Sequence, residues 1–240
     1  LDILEFTLRE TGADPARVGL IGHSMGGWGT WWIGLRNPDR FAGIAPMAAF
    51  EAPDALAPNA LHLDPRIIHS DDDPVVAVDF SRRSAAKLAA AGVSFRYKEE
   101  TGYEHASRMI GDHLPELLDW LAARRRPADP PRVRFATRGP ARGHGQAWWV
   151  AILETAEYPR PAFIEAEKFE SGRVFVRRAE NARRLALRLD SVAKQERRPG
   201  VSSALVEFPG EQKISVSAGS GWAVFRQGEP DSWALEGILE

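Results

Sequence analysis

The chain has 240 residues, a length that allows one large domain or two smaller ones. Apolar residues make up 44% and charged residues 27%, which is ordinary for a globular protein, and the net charge of −2 gives no electrostatic reason to expect nucleic acid or an anionic membrane as a partner. Cysteine is absent, which excludes disulfides, thiolate catalysis and cysteine-type metal sites but does not fix the compartment. No apolar run approaches the roughly 20 residues that span a bilayer.

The first residue is Leu rather than Met, and the chain opens directly into a helical pattern. No signal peptide or translation start is visible, so we expect the chain to be the C-terminal part of a longer protein. Leu1, Leu4 and Leu8 recur at helical spacing and Gly12 offers a C-cap, which predicts a first helix over residues 1–12.

Apolar runs then alternate with helical periodicity up to residue 126. The predicted strands are 18–21, 41–47, 66–69 and 93–99. The predicted helices after the first are 28–36, 78–91 and one that follows His105 and runs through about Arg125, while 51–64 is predicted as a loop. Strands that alternate with helices predict βαβ units and a parallel sheet, so the fold class is α/β.

The composition changes at residues 126–131, a proline-rich stretch that is predicted to be a linker. Helical periodicity fades beyond it, and short apolar segments alternate with turn residues. The predicted strands are 133–135, 148–153, 162–168, 173–177, 184–189, 204–208 and 213–216. This spacing predicts a small all-β sandwich-like domain over 130–240, after an α/β domain over 1–127.

The residues Gly22-His23-Ser24-Met25-Gly26 match the motif G-x-S-x-G. They follow an apolar strand and open a helix, the context that favours a nucleophile elbow over an ordinary glycine-rich turn. Glycines are expected at the first and last positions because side chains would clash in so tight a turn. The turn would expose the Ser24 hydroxyl and aim the Met25 backbone N–H at a developing oxyanion, where one fixed donor contributes roughly 3–4 kcal/mol.

A serine hydroxyl is a poor nucleophile unless a base takes its proton. Where a strand, a nucleophile elbow and a helix carry the serine, the expected chain order is Ser, then Asp or Glu, then His. Asp73 lies just past the 66–69 strand, 49 residues after Ser24, and His105 lies just past the 93–99 strand, 32 residues further on. Both positions follow the C-terminal ends of parallel strands, where ligands bind in open α/β sheets. The sequence therefore predicts a catalytic triad of Ser24, Asp73 and His105.

Other polar residues compete for these roles. Asp71 and Asp72 share the turn with Asp73, which is preferred because Pro74-Val75-Val76 follows it directly. The three aspartates lack the spaced ligands of a calcium loop, so no metal site is predicted. The remaining histidines are assigned to surface or local packing roles: His113 to a helix surface, His23 to local contacts in the turn, and no chemical partner is identified for His62, His69 and His144.

Aromatic and basic clusters are read as structural features. Trp28, Trp31 and Trp32 are expected to pack in a helix or core rather than stack on substrate. Of Trp148 and Trp149, one ring is expected in the core of the second domain, and exposure of the other as a binding platform is the less favoured alternative. The run 124–126 is expected to be a solvated helix end and not a nucleic-acid site.

Four stretches give the chain a resemblance to the α/β-hydrolase superfamily of serine hydrolases, and within it to prolyl-oligopeptidase-like and polyhydroxybutyrate-depolymerase-like esterases. These stretches are 22–31, 37–46, 69–76 and 102–105. The resemblance covers about residues 1–126, and the β-rich tail is more weakly similar to the C-terminal extension of some bacterial members. It implies hydrolysis of an ester or amide through an acyl-enzyme without a cofactor, with Ser24 as nucleophile, His105 as general base and Asp73 as the orienting carboxylate.

The chain also departs from the family pattern. Ser70 stands where members usually have Gly. Members begin with further strands, and a loop after an early strand supplies the second oxyanion N–H. Neither is expected within this chain, so the resemblance implies an N-terminally incomplete fold whose open sheet edge favours self-association.

Two functions follow from the sequence. The first is a serine hydrolase that acts on a small-molecule or polymeric ester, or on a peptide bond. The second is a non-catalytic binding or interaction protein, in which the hydrolase segment is inert and the β domain with Trp148 and Trp149 holds a glycan or a partner chain.

Overall fold

The structure is a computed structural model that describes residues 1–140, 144–169, 171–189, 203–217, 221–228 and 232–239. The chain divides into two compact units, Leu1–Ala128 and Asp129–Glu240. Among the described residues, no helix is long and apolar enough to cross a membrane.

The first unit is a parallel sheet with flanking helices. Its strands are β1 (Gly19–His23), β2 (Gly43–Met47), β3 (Arg66–Ser70) and β4 (Arg96–Glu100), and they lie side by side in chain order. Its helices are α1 (Asp2–Thr11), α2 (Met25–Arg36), α3 (Asp79–Ala90) and α4 (Arg108–Ala122). Every residue of β2 and nearly all of β3 are buried, as expected for the inner strands of a sheet covered on both faces.

The observed strands and helices of the first unit follow the predicted order, but 51–64 differs from its prediction. Gly12 ends α1 in the left-handed conformation, with φ 65°, as the sequence predicts. The segment 51–64 is not a plain loop, because Asp54–His62 forms a 3₁₀ helix. Its buried Asn59 donates a hydrogen bond to the Leu35 carbonyl, which ties the segment to the C-terminal end of α2.

The second unit contains two five-stranded sheets. Its strands are β5 (Arg132–Thr137), β6 (Gln146–Ala147), β7 (Val150–Thr155), β8 (Ala162–Lys168), β9 (Arg173–Glu180), β10 (Ala182–Arg188), β11 (Ser203–Glu207), β12 (Lys213–Ser217), β13 (Trp222–Gln227) and β14 (Trp233–Leu239). The sheet orders are β14-β13-β10-β7-β6 and β12-β11-β9-β8-β5. Pairing is antiparallel except between β9 and β11.

Both sheets contribute to one apolar core, which makes the second unit all-β as predicted. Residues from β5, β8, β9 and β11 of one sheet and from β7, β10 and β13 of the other lie in this core. The predicted strand 148–153 begins later than expected, at Val150, because Trp148 has a positive φ of 53° that breaks the extended backbone. Strands β6, β13 and β14 were not predicted.

Candidate active site

The predicted elbow joins β1 to α2. Ser24 has φ 59° and ψ −121°, a conformation that costs a non-glycine residue of order 1–3 kcal/mol. Its N–H donates to the Met47 carbonyl at 2.9 Å, and its carbonyl accepts from the Trp28 N–H at 3.0 Å. These two hydrogen bonds hold the strained residue between the sheet and the first turn of the helix.

The glycines around Ser24 do not all have the role that the motif suggests. A Cβ on Gly22 would lie 2.1 Å from the Gly26 carbonyl oxygen, and one on Gly27 would lie 2.5 Å from the Met47 oxygen. A Cβ on Gly26 would meet nothing within 4 Å beyond its own helix. The steric expectation is therefore right for Gly22 and wrong for Gly26, and the close approach of α2 to β2 falls at Gly27 instead.

Three side chains predicted from sequence form one hydrogen-bonded line. The Ser24 Oγ lies 2.8 Å from His105 Nε2, and His105 Nδ1 lies 2.7 Å from Asp73 Oδ2. Ser24 and His105 are partly accessible, whereas the Asp73 side chain is fully buried. Ser24 lies 81 residues before His105 in the chain, and Asp73 lies 32 residues before it. They come together because β1, β3 and β4 end at the same edge of the sheet.

The Asp73 carboxylate is held by backbone donors on its other oxygen. Oδ1 accepts from the Val75 and Val76 N–H groups, each at 2.8 Å. Burial raises the pKa of Asp73, but the hydrogen bonds from His105, Val76 and Val75 outweigh it and leave the pKa below its usual value. Asp73 is therefore ionised at neutral pH, and its Oδ2 accepts a hydrogen bond from the His105 Nδ1–H.

The neighbouring aspartates have different partners, which separates their roles. Asp72 accepts hydrogen bonds from the N–H groups of Gly102 (3.1 Å) and Glu104 (3.0 Å) and from the Ser70 hydroxyl (2.5 Å). The Ser70 oxygen in turn accepts from the Tyr103 N–H at 3.1 Å. Ser70 and Asp72 thus form a clip on the loop that delivers His105.

Asp71 makes a more peripheral contact, since its carboxylate accepts from the Thr101 hydroxyl at 3.1 Å. The hydrogen bond from the Ser70 hydroxyl lowers the pKa of Asp72 below its usual value. The sequence alone assigned no function to either clip residue.

Two histidine predictions are wrong. His113 is buried rather than on a helix surface, and its Nδ1 lies 3.0 Å from the Glu116 carboxylate one turn along α4. His69 was given no chemical partner, but it lies directly behind Asp73, with its Nε2 3.3 Å from Asp73 Oδ2. Its position four residues before Asp73, at the end of β3, was the available signal. His23 was assigned local contacts in the turn, whereas its ring packs against His105 from the distant β4–α4 loop, with centroids 5.0 Å apart.

The basic run 124–126 was predicted to be a solvated helix end, and the structure differs from this prediction. The helix ends at Ala122, so the run follows it rather than closing it. Arg124 donates to the Ala42 carbonyl and pairs with Asp64 at 3.0 Å, and Arg125 pairs with Asp14 at 2.6 Å. These arginines fasten the end of the first unit to its sheet and its N-terminal segment, because acidic partners lie within reach.

The tryptophans of both units pack within the protein. Trp31 is buried as expected, and Trp28 packs edge-on against Trp32 along α2, with centroids 5.6 Å apart. Trp148 and Trp149 are both buried, so neither ring is an exposed platform. The Trp149 Nε1–H donates to the Pro130 carbonyl at 2.8 Å, which fixes this ring in the β-sheet unit.

The remaining feature of the site is the N-terminus of α2. Met25 is the first residue of the helix, and the first N–H groups of a helix have no partner within it. The Met25 N–H follows Ser24 directly, and Met25 is exposed. Within the described part of the chain, no group of three or more His, Asp and Glu side chains is arranged to hold a metal ion.

The strand–elbow–helix unit, with an acid and a base after two later parallel strands, is the arrangement of the α/β-hydrolase superfamily. The first unit is similar to this arrangement and has an α/β architecture with a four-stranded parallel sheet, as the sequence predicts.

Comparison with solved structures finds similar proteins for about half of the chain. A thermostable esterase is 29% identical with a TM-score of 0.48 and covers 52% of this chain and 35% of its own. Esterase PE8 is 24% identical with a TM-score of 0.41, covering 49% and 57%. An acylaminoacyl peptidase from Pyrococcus horikoshii is 18% identical with a TM-score of 0.45, covering 51% and 26%.

The chain thus spans about a third of the length of the thermostable esterase. No family model and no curated protein matches the chain.

Proposed function

We propose that this protein is a serine hydrolase that cleaves a carboxylic ester, or a peptide bond, through an acyl-enzyme. Ser24 is the nucleophile, His105 the general base and then acid, and Asp73 the carboxylate that orients the imidazole. The substrate is a small-molecule or polymeric ester. The observation that carries the proposal is the line of hydrogen bonds from Ser24 Oγ to His105 Nε2 (2.8 Å) and from His105 Nδ1 to Asp73 (2.7 Å).

The reaction has two halves. The Ser24 oxygen attacks the acyl carbon while its proton passes to His105 Nε2, and the negative charge on the substrate oxygen lies near the Met25 N–H. His105 then protonates the leaving alcohol or amine, which departs and leaves the acyl group on Ser24. A water molecule, deprotonated by His105, attacks the ester so formed, releases the acid and restores the Ser24 hydroxyl.

Asp73 supports both halves through its charge. Each half turns the imidazole into an imidazolium, whose positive charge is stabilised by the ionised carboxylate at its Nδ1–H. The low pKa of Asp73 keeps that charge in place at neutral pH, because the carboxylate accepts hydrogen bonds from His105, Val76 and Val75.

Fluorophosphonate labelling of the chain tests the proposal. The probe phosphonylates a serine only where a base activates it, so we expect labelling of the wild type and none of Ser24→Ala. Ser107→Ala is the matched control, because Ser107 is exposed and lies two residues from His105. Labelling that persists in Ser24→Ala, or disappears equally in Ser107→Ala, would refute the assignment of Ser24.

Hydrolysis of short-chain aryl esters then measures turnover. We expect Asp73→Asn to lower kcat by roughly 10⁴-fold, the loss seen when the orienting acid of such a triad is neutralised. The alternative of a glycan-binding β domain is not favoured, since both Trp148 and Trp149 are buried. Self-association through the edge strand β1 stays a prediction.

A further inference from the structure

His69 occupies the space directly behind the triad carboxylate. Its side chain is fully buried at the end of β3. The ring Nδ1 lies 2.7 Å from the Ser81 hydroxyl, and Nε2 lies 2.9 Å from the Val76 carbonyl and 3.3 Å from Asp73 Oδ2. The imidazole therefore joins α3, through Ser81, to the turn that carries Asp73.

These contacts determine where the protons lie. The Val76 carbonyl can only accept a hydrogen bond, so His69 Nε2 carries the hydrogen and faces both that oxygen and the Asp73 carboxylate. In the neutral ring Nδ1 is then an acceptor, and the Ser81 hydroxyl donates to it. Burial lowers the pKa of His69, in agreement with a neutral ring.

We propose that His69 and Ser81 are positioning residues for the triad: the Val76 carbonyl fixes the Nε2–H tautomer of His69, Ser81 holds the ring by donating to Nδ1, and the Nε2–H holds the Asp73 carboxylate towards His105. The proposal rests on the proposed function, because it gives these two residues a role in the same site. Behind the triad it adds a hydrogen bond from Ser81 to His69 and a 3.3 Å contact from His69 Nε2 to Asp73 Oδ2.

The tautomer matters because the alternative is repulsive. If the hydrogen moved to Nδ1, the Nε2 lone pair would face the Val76 oxygen and Asp73 Oδ2, both of which are also electron-rich. Asp73 Oδ2, which also accepts the hydrogen bond from His105, would then face the His69 Nε2 lone pair instead of the Nε2–H, and the two would repel each other. A displacement of about 1 Å at a catalytic group lowers the rate by about 100-fold, so a modest shift of Asp73 has a measurable effect.

Four titratable groups of the described residues face or adjoin His69. Asp73 and His105 lie on the catalytic side, and His23 of β1 is close enough to interact electrostatically with His69. On the neighbouring strand β4, Glu99 is the register partner of His69. Measurements at a single pH near 7.5 compare the variants with Asp73 and Glu99 ionised, because the pKa of each is below its usual value.

The helix α3 offers a matched control for Ser81. Ser84 lies one turn further on, is equally buried, and bonds to the Ala52 N–H and the Phe80 carbonyl rather than to His69. Ser81→Ala and Ser84→Ala therefore remove the same hydroxyl from the same helix, and only the first removes a donor to the imidazole. His69→Gln is the conservative variant, because its amide N–H₂ reaches roughly the position of Nε2–H.

The experiment measures the rate of fluorophosphonate labelling of the full chain, together with ¹⁵N NMR of the histidine side chains and urea unfolding. We expect labelling to fall about 3- to 10-fold in Ser81→Ala and about 10- to 100-fold in His69→Ala, with substantial recovery in His69→Gln and a change below about twofold in Ser84→Ala. The NMR spectrum of the wild type should show His69 as the Nε2–H tautomer and a low-field proton for His105 Nδ1–H. That proton signal should weaken in His69→Ala.

The outcomes are distinguishable. A wild type that labels independently of Ser24 refutes the proposed function, and the NMR signals still decide the role of His69. An Nδ1–H tautomer, or an unchanged His105 proton signal in His69→Ala, overturns the positioning role. So does a Ser81→Ala variant that labels at the rate of Ser84→Ala. Loss of labelling in proportion to lost stability, without recovery in His69→Gln, would show a purely structural role and also overturn it.

Discussion

The elbow provides a test in which two glycines of one motif respond oppositely to the same change. In Gly22→Ala the new methyl carbon would lie 2.1 Å from the Gly26 carbonyl oxygen and 2.7 Å from the Thr30 Oγ1. Contacts of this kind are essentially never closer than 3.0 Å, so the carbonyl has to retreat by about 0.9 Å. In Gly26→Ala the methyl group meets no atom outside the helix within 4 Å.

The cost of Gly22→Ala has two parts. Forcing one extra carbon into a packed site costs about 1–3 kcal/mol, and moving the Gly26 carbonyl disrupts its 2.9 Å hydrogen bond from Thr30, which contributes about 1 kcal/mol. We therefore expect the free energy of unfolding to fall by about 2–4 kcal/mol. Gly26→Ala should be neutral or up to about 1 kcal/mol more stable, because alanine is the better helix former.

Urea unfolding followed by circular dichroism measures both changes, and fluorophosphonate labelling follows the site. We expect labelling of Gly22→Ala to fall by about 100-fold, because a shift of the first turn of α2 by about 1 Å moves the adjoining Ser24 with it. The reasoning is refuted if Gly22→Ala has wild-type stability, or if Gly26→Ala is destabilised as much as Gly22→Ala.

Two further predictions concern the clip and the buried imidazoles. In Asp72→Ala the loop that carries His105 loses its hydrogen bonds to Asp72, so the labelling rate should fall at least about tenfold. Asp71→Ala is the control and should keep the wild-type labelling rate. Equal rates in the two variants would contradict a role for the clip. Burial lowers the pKa of His69 and of His23, so below about pH 6.5 the unfolded chain binds more protons than the folded one and stability should decline as the pH falls. Urea midpoints between about pH 7.5 and pH 5 measure this decline, which His69→Gln should make shallower; a midpoint that rises on acidification would contradict it.

Much of the candidate site was predictable because its signals are local. An apolar strand, a glycine-containing turn and a helix within about 18 residues indicate an elbow at Ser24. The positions of Asp73 and His105 follow from the rule that the ends of parallel strands share one edge of the sheet. The alternation of strands and helices up to residue 126 determined the α/β architecture of the first unit in the same way.

The β-sheet unit shows where local signals fail. Strand β14 is rich in Ala, Leu and Glu, residues that favour helices in isolation. It is extended because it pairs with β13, through an irregular register between Val224 and Phe225. Strand propensity depends on neighbours in this way, so β14 could not be derived from composition.

The amino-acid sequence by itself therefore predicted the alternation of strands and helices in the first unit, the elbow and the three residues of the proposed triad, because each depends on spacing along the chain. Only the tertiary structure showed that Asp72 holds the loop of His105, and that His69 lies behind Asp73 with Ser81 as its donor. These roles depend on distances between side chains from different strands, helices and loops. Such distances are set when the sheet and its helices pack together, and no pattern along the chain contains them.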